Sequence, residues 1–297
     1  MSRLSPDSGL SSDDQATFAE LRLALERGGG SQQPIEELRR EGLISEAWHL
    51  LCTALRDSKS WFRAEACLAL DYLNDPAAIA DLRPMLADSD AMVSVRAADA
   101  LCRFGEPATA LVPRLIEVLR QPEAELPLGS NRYLPPCMYL AMPEARYHAA
   151  RILGYLGPDG APAREELRSS LKSASAMVRA EAAKTLAGIG EPPEVYLAPL
   201  RQALGDAIVQ SSRERVRTAE TLLELGEPPE LVISELAGFV DDDDWTAACW
   251  AMQQLGQLGC AATSAVPTLR VALGSVRPGV AEEAAAALRQ IEVSVPR

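Results

Sequence analysis

The segment MVRAEAAKTLAGIGEP, from Met177 to Pro192, decides the fold of this chain. It reads as V-R-x-x-A-A-x-A-L-x-x-I-G, with Thr185 in place of one alanine. Its small and apolar residues recur three and four positions apart, which predicts one face of an α-helix. Gly190 can adopt the left-handed conformation that ends a helix, and Pro192 prevents its continuation. The segment therefore predicts a single helix followed by a sharp stop.

Variants of this string recur with the same internal spacing along most of the chain. The six further copies are Phe62–Asn74, Val93–Gly105, Ala145–Gly157, Glu214–Gly226, Ala247–Gly259 and Val280–Glu292. The copy ends are separated by 31, 52, 33, 36, 33 and 33 residues. Second apolar helical stretches lie between copies, for example at 110–121, 195–206 and 264–275. Because one helix pair cannot bury its apolar face alone, we predict an all-α solenoid in which about seven pairs stack into a right-handed superhelix.

The composition of the chain agrees with packed helices and limits the class of partner. Hydrophobic residues make up 47% of the 297 residues, but aromatic residues only 5%. Lys and Arg number 29 against 42 Asp and Glu, which gives a net charge of −13. Nucleic-acid binding needs a positive field, so we expect no nucleic-acid partner. No run of eighteen apolar residues occurs and residues 1–12 are polar, so we expect no membrane partner and a cytoplasmic location.

The VRxxAA strings and the trailing LG-E-P or LG-P segments resemble the HEAT-repeat family, in particular the bacterial phycobilisome-lyase-type HEAT-like repeats. The resemblance covers roughly residues 45–293 and implies a solenoid of HEAT-like helix pairs. It also implies that the arginine of the string forms a structural ladder with the aspartate that ends the preceding helix. The ladder arginines are Arg63, Arg146, Arg179 and Arg215. Asp57 and Asp206 fit as their partners, whereas Ser94, Ala248 and Ala281 replace the arginine in three copies.

Residues 1–44 do not match the repeat. A helix is predicted from Asp13 to Arg27, followed by a glycine break and a short helix from Pro34 to Glu41. We expect this segment to cap the first repeat or to serve as a docking arm, and residues 45–297 to form the solenoid.

An insertion at 122–142 accounts for the spacing of 52 residues, and it falls between the two helices of repeat three. The insertion is rich in proline, but its second half is apolar and includes Tyr133 and Tyr139. A long loop inside a tight repeat is often functional. Two alternatives stay open: the loop packs on its own solenoid, or it contacts a partner.

Residue types that enzymes and metal sites need are sparse in this chain. The two histidines, His49 and His148, are not followed by glutamate, so the iron ligands of the HEAT-built deoxyhypusine hydroxylases are missing. HEAT-like DNA glycosylases need a basic groove, which the net charge opposes. Nucleophile-elbow, phosphate-loop and dinucleotide motifs are absent. The acidic run Asp241–Asp244 lacks the ligand spacing of a calcium loop and predicts a helix cap instead.

The six cysteines stand singly, without the spacing of a metal site. Five of them lie in or beside apolar helical runs, which predicts small buried hydrophobic residues. Cys137, in the insertion, is the exception. We therefore predict a protein that is not an enzyme, with no catalytic, cofactor-binding or metal-binding residues.

Candidate partner-binding residues follow from the register of the repeats. If the copy helices line the inner, concave face, positions two, five and nine residues after the ladder site form rows along it. These rows are basic and aromatic in repeats two to four and acidic in repeats five to seven. The predicted partner-binding residues are Arg96, Arg103, Tyr133, Tyr139, Tyr147, His148, Arg151, Tyr155 and Lys184. Arginine can grip a carboxylate through two parallel hydrogen bonds, and tyrosine supplies rigid contact area.

Two functional interpretations result from this pattern. The first is a non-enzymatic scaffold or adaptor that binds another protein or peptide, of acidic or mixed charge, through the concave face and the 122–142 insertion. The second, which the resemblance permits, is an auxiliary subunit of a chromophore lyase or of another protein-modifying enzyme. In that case Cys137 is the one residue that the sequence offers for thiol chemistry.

Overall fold

A computed structural model describes residues 11–122, 142–205, 211–277 and 279–293 of the chain. These residues form sixteen α-helices and no strand, as the repeat predicts. The helices are α1 Ser12–Arg27, α2 Gln32–Glu41, α3 Ile44–Ala54, α4 Ser60–Leu73, α5 Ile79–Leu82, α6 Ala91–Arg103, α7 Ala108–Arg120, α8 Met142–Tyr155, α9 Arg164–Ser170, α10 Ala176–Gly188, α11 Pro193–Gly205, α12 Ser212–Glu224, α13 Glu230–Gly238, α14 Trp245–Gln257, α15 Val266–Ala272 and α16 Val280–Val293.

Each of the seven string copies forms one helix, namely α4, α6, α8, α10, α12, α14 and α16. A preceding helix packs against the copy helix in the pairs α3–α4, α7–α8, α11–α12, α13–α14 and α15–α16. Copy helices also pack on one another in the pairs α4–α6, α6–α8, α10–α12, α12–α14 and α14–α16, and fully buried alanines such as Ala66, Ala97 and Ala149 leave room for this close approach. The result is an all-α solenoid of stacked helix pairs.

Six of the seven copies end in a glycine or asparagine that adopts the left-handed conformation predicted by the sequence. Gly190 has a φ of 85°, and Asn74, which replaces glycine in the first copy, has a φ of 52°. After Gly190 the chain turns back, so that the Glu191 amide donates to the Leu186 carbonyl at 2.9 Å. This geometry satisfies a carbonyl that the helix end would otherwise leave unpaired.

The sequence predicts a continuous helix between one copy and the next. In three repeats this helix, which is the first of its pair, is broken. Residues 76–87, 157–170 and 259–272 each combine 3₁₀ turns with a short α-helix, so the helix predicted at 264–275 is reduced to Val266–Ala272. Pro158 and Pro162 remove amide donors in the second of these segments. A side chain at Gly160 would lie 2.5 Å from the Leu153 carbonyl oxygen, so this turn packs directly on the α8 backbone.

The chain divides into two compact units, Met1–Glu166 and Leu167–Arg297. In the first unit, α1 and α2 form a helix pair that packs on α4. Ser11 caps α1, because its hydroxyl accepts from the Asp14 amide while the Asp14 carboxylate accepts from the Ser11 amide. Within the described residues, no helix is long and apolar enough to cross a membrane.

Leucine and isoleucine side chains fill the core of each unit. Fully buried examples in the first unit are Leu21, Leu51, Leu70, Leu101, Leu115 and Ile152. Fully buried examples in the second unit are Leu186, Leu200, Leu222, Leu255 and Leu269. Burying one such side chain stabilises the fold by roughly 1.5–3 kcal/mol.

Candidate functional site

The first ladder arginine joins two successive repeats. Arg63 Nη1 donates to the Asp57 carbonyl oxygen at 2.9 Å, and Nε and Nη2 bind the Asp88 carboxylate at 2.7 and 2.8 Å. The sequence predicted the Asp57 carboxylate as its partner, but that group accepts from the Lys59 amide instead. Asp57 therefore contributes its backbone to the ladder, and the ion pair is made with the next repeat. The other predicted partner, Asp206, lies outside the described residues.

Two further ladder arginines follow the same pattern. Arg179 is 1% exposed, and its Nη1 donates to the carbonyl oxygens of Ser173 and Ala174 at 2.7 and 2.9 Å. Arg215 Nε donates to the Leu204 carbonyl oxygen at 2.8 Å. Their Nη2 groups bind side chains of the following repeat, Thr218 and Glu235. These arginines satisfy the backbone before each copy helix and are structural.

In two of the three copies that lack the ladder arginine, an arginine of the following repeat takes over its role. In repeat two the hydroxyl of buried Ser94 bonds within its own helix, and Arg114 Nη2 donates to the Asp88 carbonyl oxygen at 2.7 Å. In repeat six, where alanine replaces the arginine, Arg277 donates to the Asp242 carbonyl oxygen. The backbone before these helices is thus held by a cation in both cases.

Four charged side chains of α4, α6 and α8 form one ion-paired cluster in the first unit. Arg103 Nη2 and Arg151 Nη2 each lie 2.8 Å from Asp99 Oδ2. Arg103 Nη1 is 2.7 Å from Asp71 Oδ2, in an ion pair without the alignment of a hydrogen bond. The Asp71 and Asp99 side chains are only 6% and 4% exposed. Burial raises the pKa of the Asp71 carboxyl, an effect that the Arg103 charge partly offsets.

Arg96 lies on α6 one turn before Asp99 and differs from its neighbours. It is half-buried and makes no hydrogen bond or ion pair within the part of the chain that the structure describes. Glu65, at the equivalent position of α4, accepts from the Ser31 amide at 3.2 Å. His148, at the equivalent position of α8, has its pKa lowered to about 3 by burial and by the charges of Arg96 and Arg151. His148 is therefore neutral at pH 7, and Arg96 is a cation that makes no direct ion pair with any described residue.

Two tyrosines border this cluster on α8. The Arg151 guanidinium lies 5.9 Å from the Tyr147 ring and 5.6 Å from the Tyr155 ring, within the range of cation–π contact. Tyr147 also meets the His148 ring edge to face at 5.1 Å. Tyr155 is 65% exposed, so one aromatic face of this group is open to solvent. We call these residues the α4–α6–α8 face, which comprises Asp71, Arg96, Asp99, Arg103, Tyr147, His148, Arg151 and Tyr155.

Six of the nine predicted binding residues thus come together in the first unit. Lys184 belongs to the second unit, where its Nζ pairs with Glu224 at 2.5 Å. Tyr133 and Tyr139 lie outside the described residues. Sequence reasoning missed Asp71, which stands eight positions after the ladder site and so falls between the predicted rows. An aspartate inside the apolar string FRAEACLALDYLN was the signal that could have identified it.

In the second unit, polar side chains on and beside the corresponding rows form hydrogen bonds or ion pairs with neighbouring side chains of that unit. Arg217 pairs with Glu220 at 2.7 Å and lies 4.9 Å from the Trp250 ring. Gln254 donates to the second Glu220 oxygen at 3.3 Å. Gln253 Nε2 lies 3.4 Å from Glu283 Oε2, at the long limit of a hydrogen bond. These polar side chains have partners within the unit, unlike Arg96.

The described residues contain no group of three or more His, Cys, Asp or Glu side chains that could hold a metal ion. Asp244 caps α14 by accepting from the amides of Thr246 and Ala247, which confirms the cap predicted for the acidic run. Cys67 and Cys249 are buried as predicted, and burial raises the pKa of the Cys67 thiol. Cys260 is exposed instead, because it stands in the 3₁₀ turn that replaces a continuous helix. Cys137 lies outside the described residues.

Comparisons with known proteins bear on the family. The sequence profile of the HEAT repeats matches residues 49–127 and 140–228, which is more than half of the chain. The comparison with curated proteins gave no match. Two crystal structures of engineered proteins are similar to this chain, each at 19% identity. The first match covers 95% of this chain and 76% of the engineered protein, with a TM-score of 0.41. The second match covers 82% of this chain and 96% of the engineered protein, with a TM-score of 0.34. The profile match and the seven string copies show that this chain belongs to the HEAT-repeat family.

Proposed function

We propose that this chain is a non-enzymatic scaffold or adaptor that binds another protein or a peptide through the α4–α6–α8 face, with the 122–142 insertion contributing. One observation carries the proposal: a half-buried arginine without an ion pair, Arg96, shares the α4–α6–α8 face with the exposed ring of Tyr155 and the stacked guanidinium of Arg151. Arginine and tyrosine are enriched among the residues that dominate binding energy at interfaces. Stacked helical repeats generally present such extended binding surfaces.

The charge of this face favours a partner of acidic or mixed charge. Arg103 and Arg151 are held by the buried carboxylates of Asp71 and Asp99, so they shape the surface more than they attract a partner. Reversing their charge would place like charges beside buried aspartates and would destabilise the unit. A test of binding must therefore use Arg96 and Tyr155, which make no ion pair with the fold.

Affinity capture from an extract of the source cells tests the proposal. We expect the wild-type chain to retain specific proteins that the double variant Arg96→Gln, Tyr155→Ala does not retain. The matched control is Arg22→Gln, Leu23→Ala, because Arg22 and Leu23 are an exposed arginine and an exposed apolar residue of α1 in the same unit. Circular dichroism must show that all three proteins melt alike. Identical capture by the double variant, or no specific capture by the wild type, would contradict the proposal.

The auxiliary role in a chromophore lyase is the alternative that the resemblance to the phycobilisome-lyase-type subgroup favours. Absorbance spectra of the purified chain mixed with a bilin test it directly. A shifted spectrum that is lost on Cys137→Ser substitution would support the alternative, and an unchanged spectrum would contradict it. The cytoplasmic location and the absence of nucleic-acid and membrane partners stay predictions of the sequence.

A further inference from the structure

We infer that Arg96 determines the specificity of the α4–α6–α8 face by binding the carboxylate of one aspartate or glutamate in the partner chain. The inference rests on the proposed function and deepens it, because it names the group that is recognised and the residue that recognises it. Three features carry it: the unpaired state of Arg96, the balance of charge around it, and the surfaces that border it.

The first feature is the contrast between Arg96 and the other arginines of the first unit's cluster. Arg103 and Arg151 both bind Asp99, and Arg103 also pairs with Asp71. Arg96 makes no such contact with any described residue, although it is half-buried. A guanidinium that is partly removed from water binds an opposite charge more strongly than an exposed one, because the local dielectric is lower. Arg96 is therefore placed for a charge-assisted hydrogen bond that the chain itself does not supply.

The second feature is the arrangement of charge around Arg96. The nearby carboxylates are those of Asp71, Asp99 and Glu65, and the neutral imidazole of His148 adds no charge. Asp71 and Asp99 pair with Arg103 and Arg151, and Glu65 accepts from the Ser31 amide, so no carboxylate of the described residues pairs directly with Arg96. A carboxylate of the partner carries a single negative charge and matches this one guanidinium. A phosphate dianion would need a second free cation, which Arg103 and Arg151 cannot provide while they hold Asp71 and Asp99.

The third feature is the pair of surfaces that border Arg96. On the α4 side, Glu65 is 6% exposed and accepts from the Ser31 amide, so it is engaged with the N-terminal helix pair and makes no ion pair with Arg96. On the α8 side, the rings of Tyr147 and Tyr155 flank Arg151, and Tyr155 is largely exposed. Tyr155 stands seven positions further along its copy helix than Arg96 does along α6, which corresponds to roughly 10 Å along the helix axes. The partner that fits has an acidic residue for Arg96 and an apolar side chain about three residues away in an extended chain, which can lie on Tyr155.

Selection from a phage library of random dodecapeptides identifies the probe for a quantitative test. Full-length wild type, Arg96→Gln and the control Arg22→Gln serve as immobilised targets. We expect the wild type and the control to enrich peptides that contain aspartate or glutamate about three positions from an apolar residue, and Arg96→Gln to lose that enrichment. Enrichment of peptides without acidic residues on the wild type, or unchanged acidic enrichment on Arg96→Gln, would overturn the inference.

A double-mutant cycle with the best selected peptide then assigns the contact. We expect Arg96→Gln to weaken the Kd about ten-fold, which corresponds to about 1.4 kcal/mol. Replacing the peptide's acidic residue by its amide should weaken binding to the wild type similarly and should leave binding to Arg96→Gln unchanged. Additive losses would overturn the assignment of the carboxylate to Arg96, as would tighter binding of the same peptide with phosphoserine at that position. Both results leave the proposed function standing, whereas a library that yields no wild-type binder counts against the proposed function as well.

Discussion

At the scale of single residues, the arginines of this chain fall into two groups that look identical in the sequence. Most of them satisfy backbone carbonyls or buried carboxylates, as Arg63, Arg179 and Arg215 do before their copy helices. Arg96 has no such partner among the described residues. Whether an arginine is structural or free depends on which groups of the next helix come within reach of it, so the residue type alone cannot distinguish the two.

Replacement of the most buried arginine tests the structural role. We expect Arg179→Ala to lower the free energy of unfolding by about 3 kcal/mol, because it leaves the buried carbonyl group of Ser173 without its donor and removes a fully buried side chain. Urea denaturation at pH 7 measures the loss. The exposed Arg22→Ala should change the stability by less than about 0.5 kcal/mol. Equal stability of the two variants would show that Arg179 does not hold the preceding turn.

The ion pair between Arg63 and Asp88 predicts a dependence of stability on pH. Burial alone would raise the pKa of the Asp88 carboxyl, but hydrogen bonds from Arg63 and from the Asp90 amide hold it below its ordinary value. A lowered pKa stabilises the fold above the ordinary carboxyl pKa, and this stabilisation disappears as the pH falls through the lowered value. We expect Asp88→Asn to cost about 2 kcal/mol at pH 7 and to cost progressively less below about pH 4.

Urea midpoints at pH 7, 5, 4 and 3 measure this convergence of variant and wild type. The charge-matched control is Asp243→Asn, since Asp243 is exposed and makes no hydrogen bond within the described residues. A difference between Asp88→Asn and wild type that stays constant down to pH 3 would contradict the role of the ionised carboxylate.

The candidate site shows how far residue-level prediction reaches. Counting from the ladder position brought Arg96, Arg103 and Arg151 to one face because copy helices repeat in register. The same counting could not reveal that Asp99 binds two of these arginines, nor that Asp71 lies within reach of Arg103. Such pairs join different helices, and their distances depend on the lateral offset of the helices, which a one-dimensional repeat does not contain.

At the scale of helices, the Gly-Glu-Pro ends carry a second repeated contact. The glutamate after each of three copy helices is nearly buried and pairs with an arginine of the first helix in the same repeat. The pairs are Arg83–Glu106, Arg168–Glu191 and Arg201–Glu227, at 2.6, 2.5 and 2.5 Å. The glutamate thus ties the end of a copy helix to its partner helix, which gives a physical reason for its place in the repeated string.

The helical boundaries were predictable where local rules decide them and unpredictable elsewhere. Apolar spacing predicts all seven copy helices, and a glycine or asparagine stop marks the ends of six of them. The broken first helices at 76–87, 157–170 and 259–272 were not predicted, because the sequence there also fits a continuous amphipathic helix. Packing decides between the two: the Gly160 turn contacts the α8 backbone at a distance that leaves no room for a side chain.

The packing of α14 on α16 leads to a prediction for Gly256. A side chain at this position would approach the Ala287 backbone to 3.1 Å and would collide with the Gln290 amide. We expect Gly256→Ala to destabilise the second unit by about 1 kcal/mol, because the Ala287 backbone must give way by a few tenths of an ångström and this cost exceeds the gain in helix propensity. The double variant Gly256→Ala, Gln290→Ala should recover part of this loss, since the flexible collision partner is removed while the backbone contact persists.

Hydrogen exchange followed by mass spectrometry measures the effect of Gly256→Ala helix by helix. In a stacked array each repeat contacts only its neighbours, so exchange should accelerate in α13 to α16 and stay unchanged in α3 to α6. The matched control is Gly238→Ala, whose added side chain would meet no atom within 4 Å. Uniform acceleration across both units, or none in Gly256→Ala, would contradict this picture of local packing.

At the scale of the whole molecule, the net charge of −13 opposes the acidic partner that Arg96 is proposed to bind. The two effects act over different distances. Arg96 acts at contact, whereas the excess of acidic residues acts across the Debye length, which is about 30 Å at 0.01 M salt and about 8 Å at 0.15 M. An acidic peptide should therefore be repelled during approach and held after contact. Such a surface selects against acidic molecules that lack the matching apolar residue.

Because the repulsion by the net charge is long-range and the Arg96 contact is short-range, we predict an unusual salt dependence of binding. For an acidic peptide selected on the wild type, we expect the association rate constant to rise several-fold between 0.01 and 0.15 M NaCl, because salt screens the long-range repulsion. Arg96→Gln should leave that association rate nearly unchanged and should raise the dissociation rate about ten-fold, since a short-range contact acts after encounter. Stopped-flow anisotropy with the labelled peptide measures both constants. The amide version of the peptide is the control, and its association rate should vary less with salt. An association rate that falls as salt is added would mean that the local field of the α4–α6–α8 face outweighs the charge of the whole chain during approach.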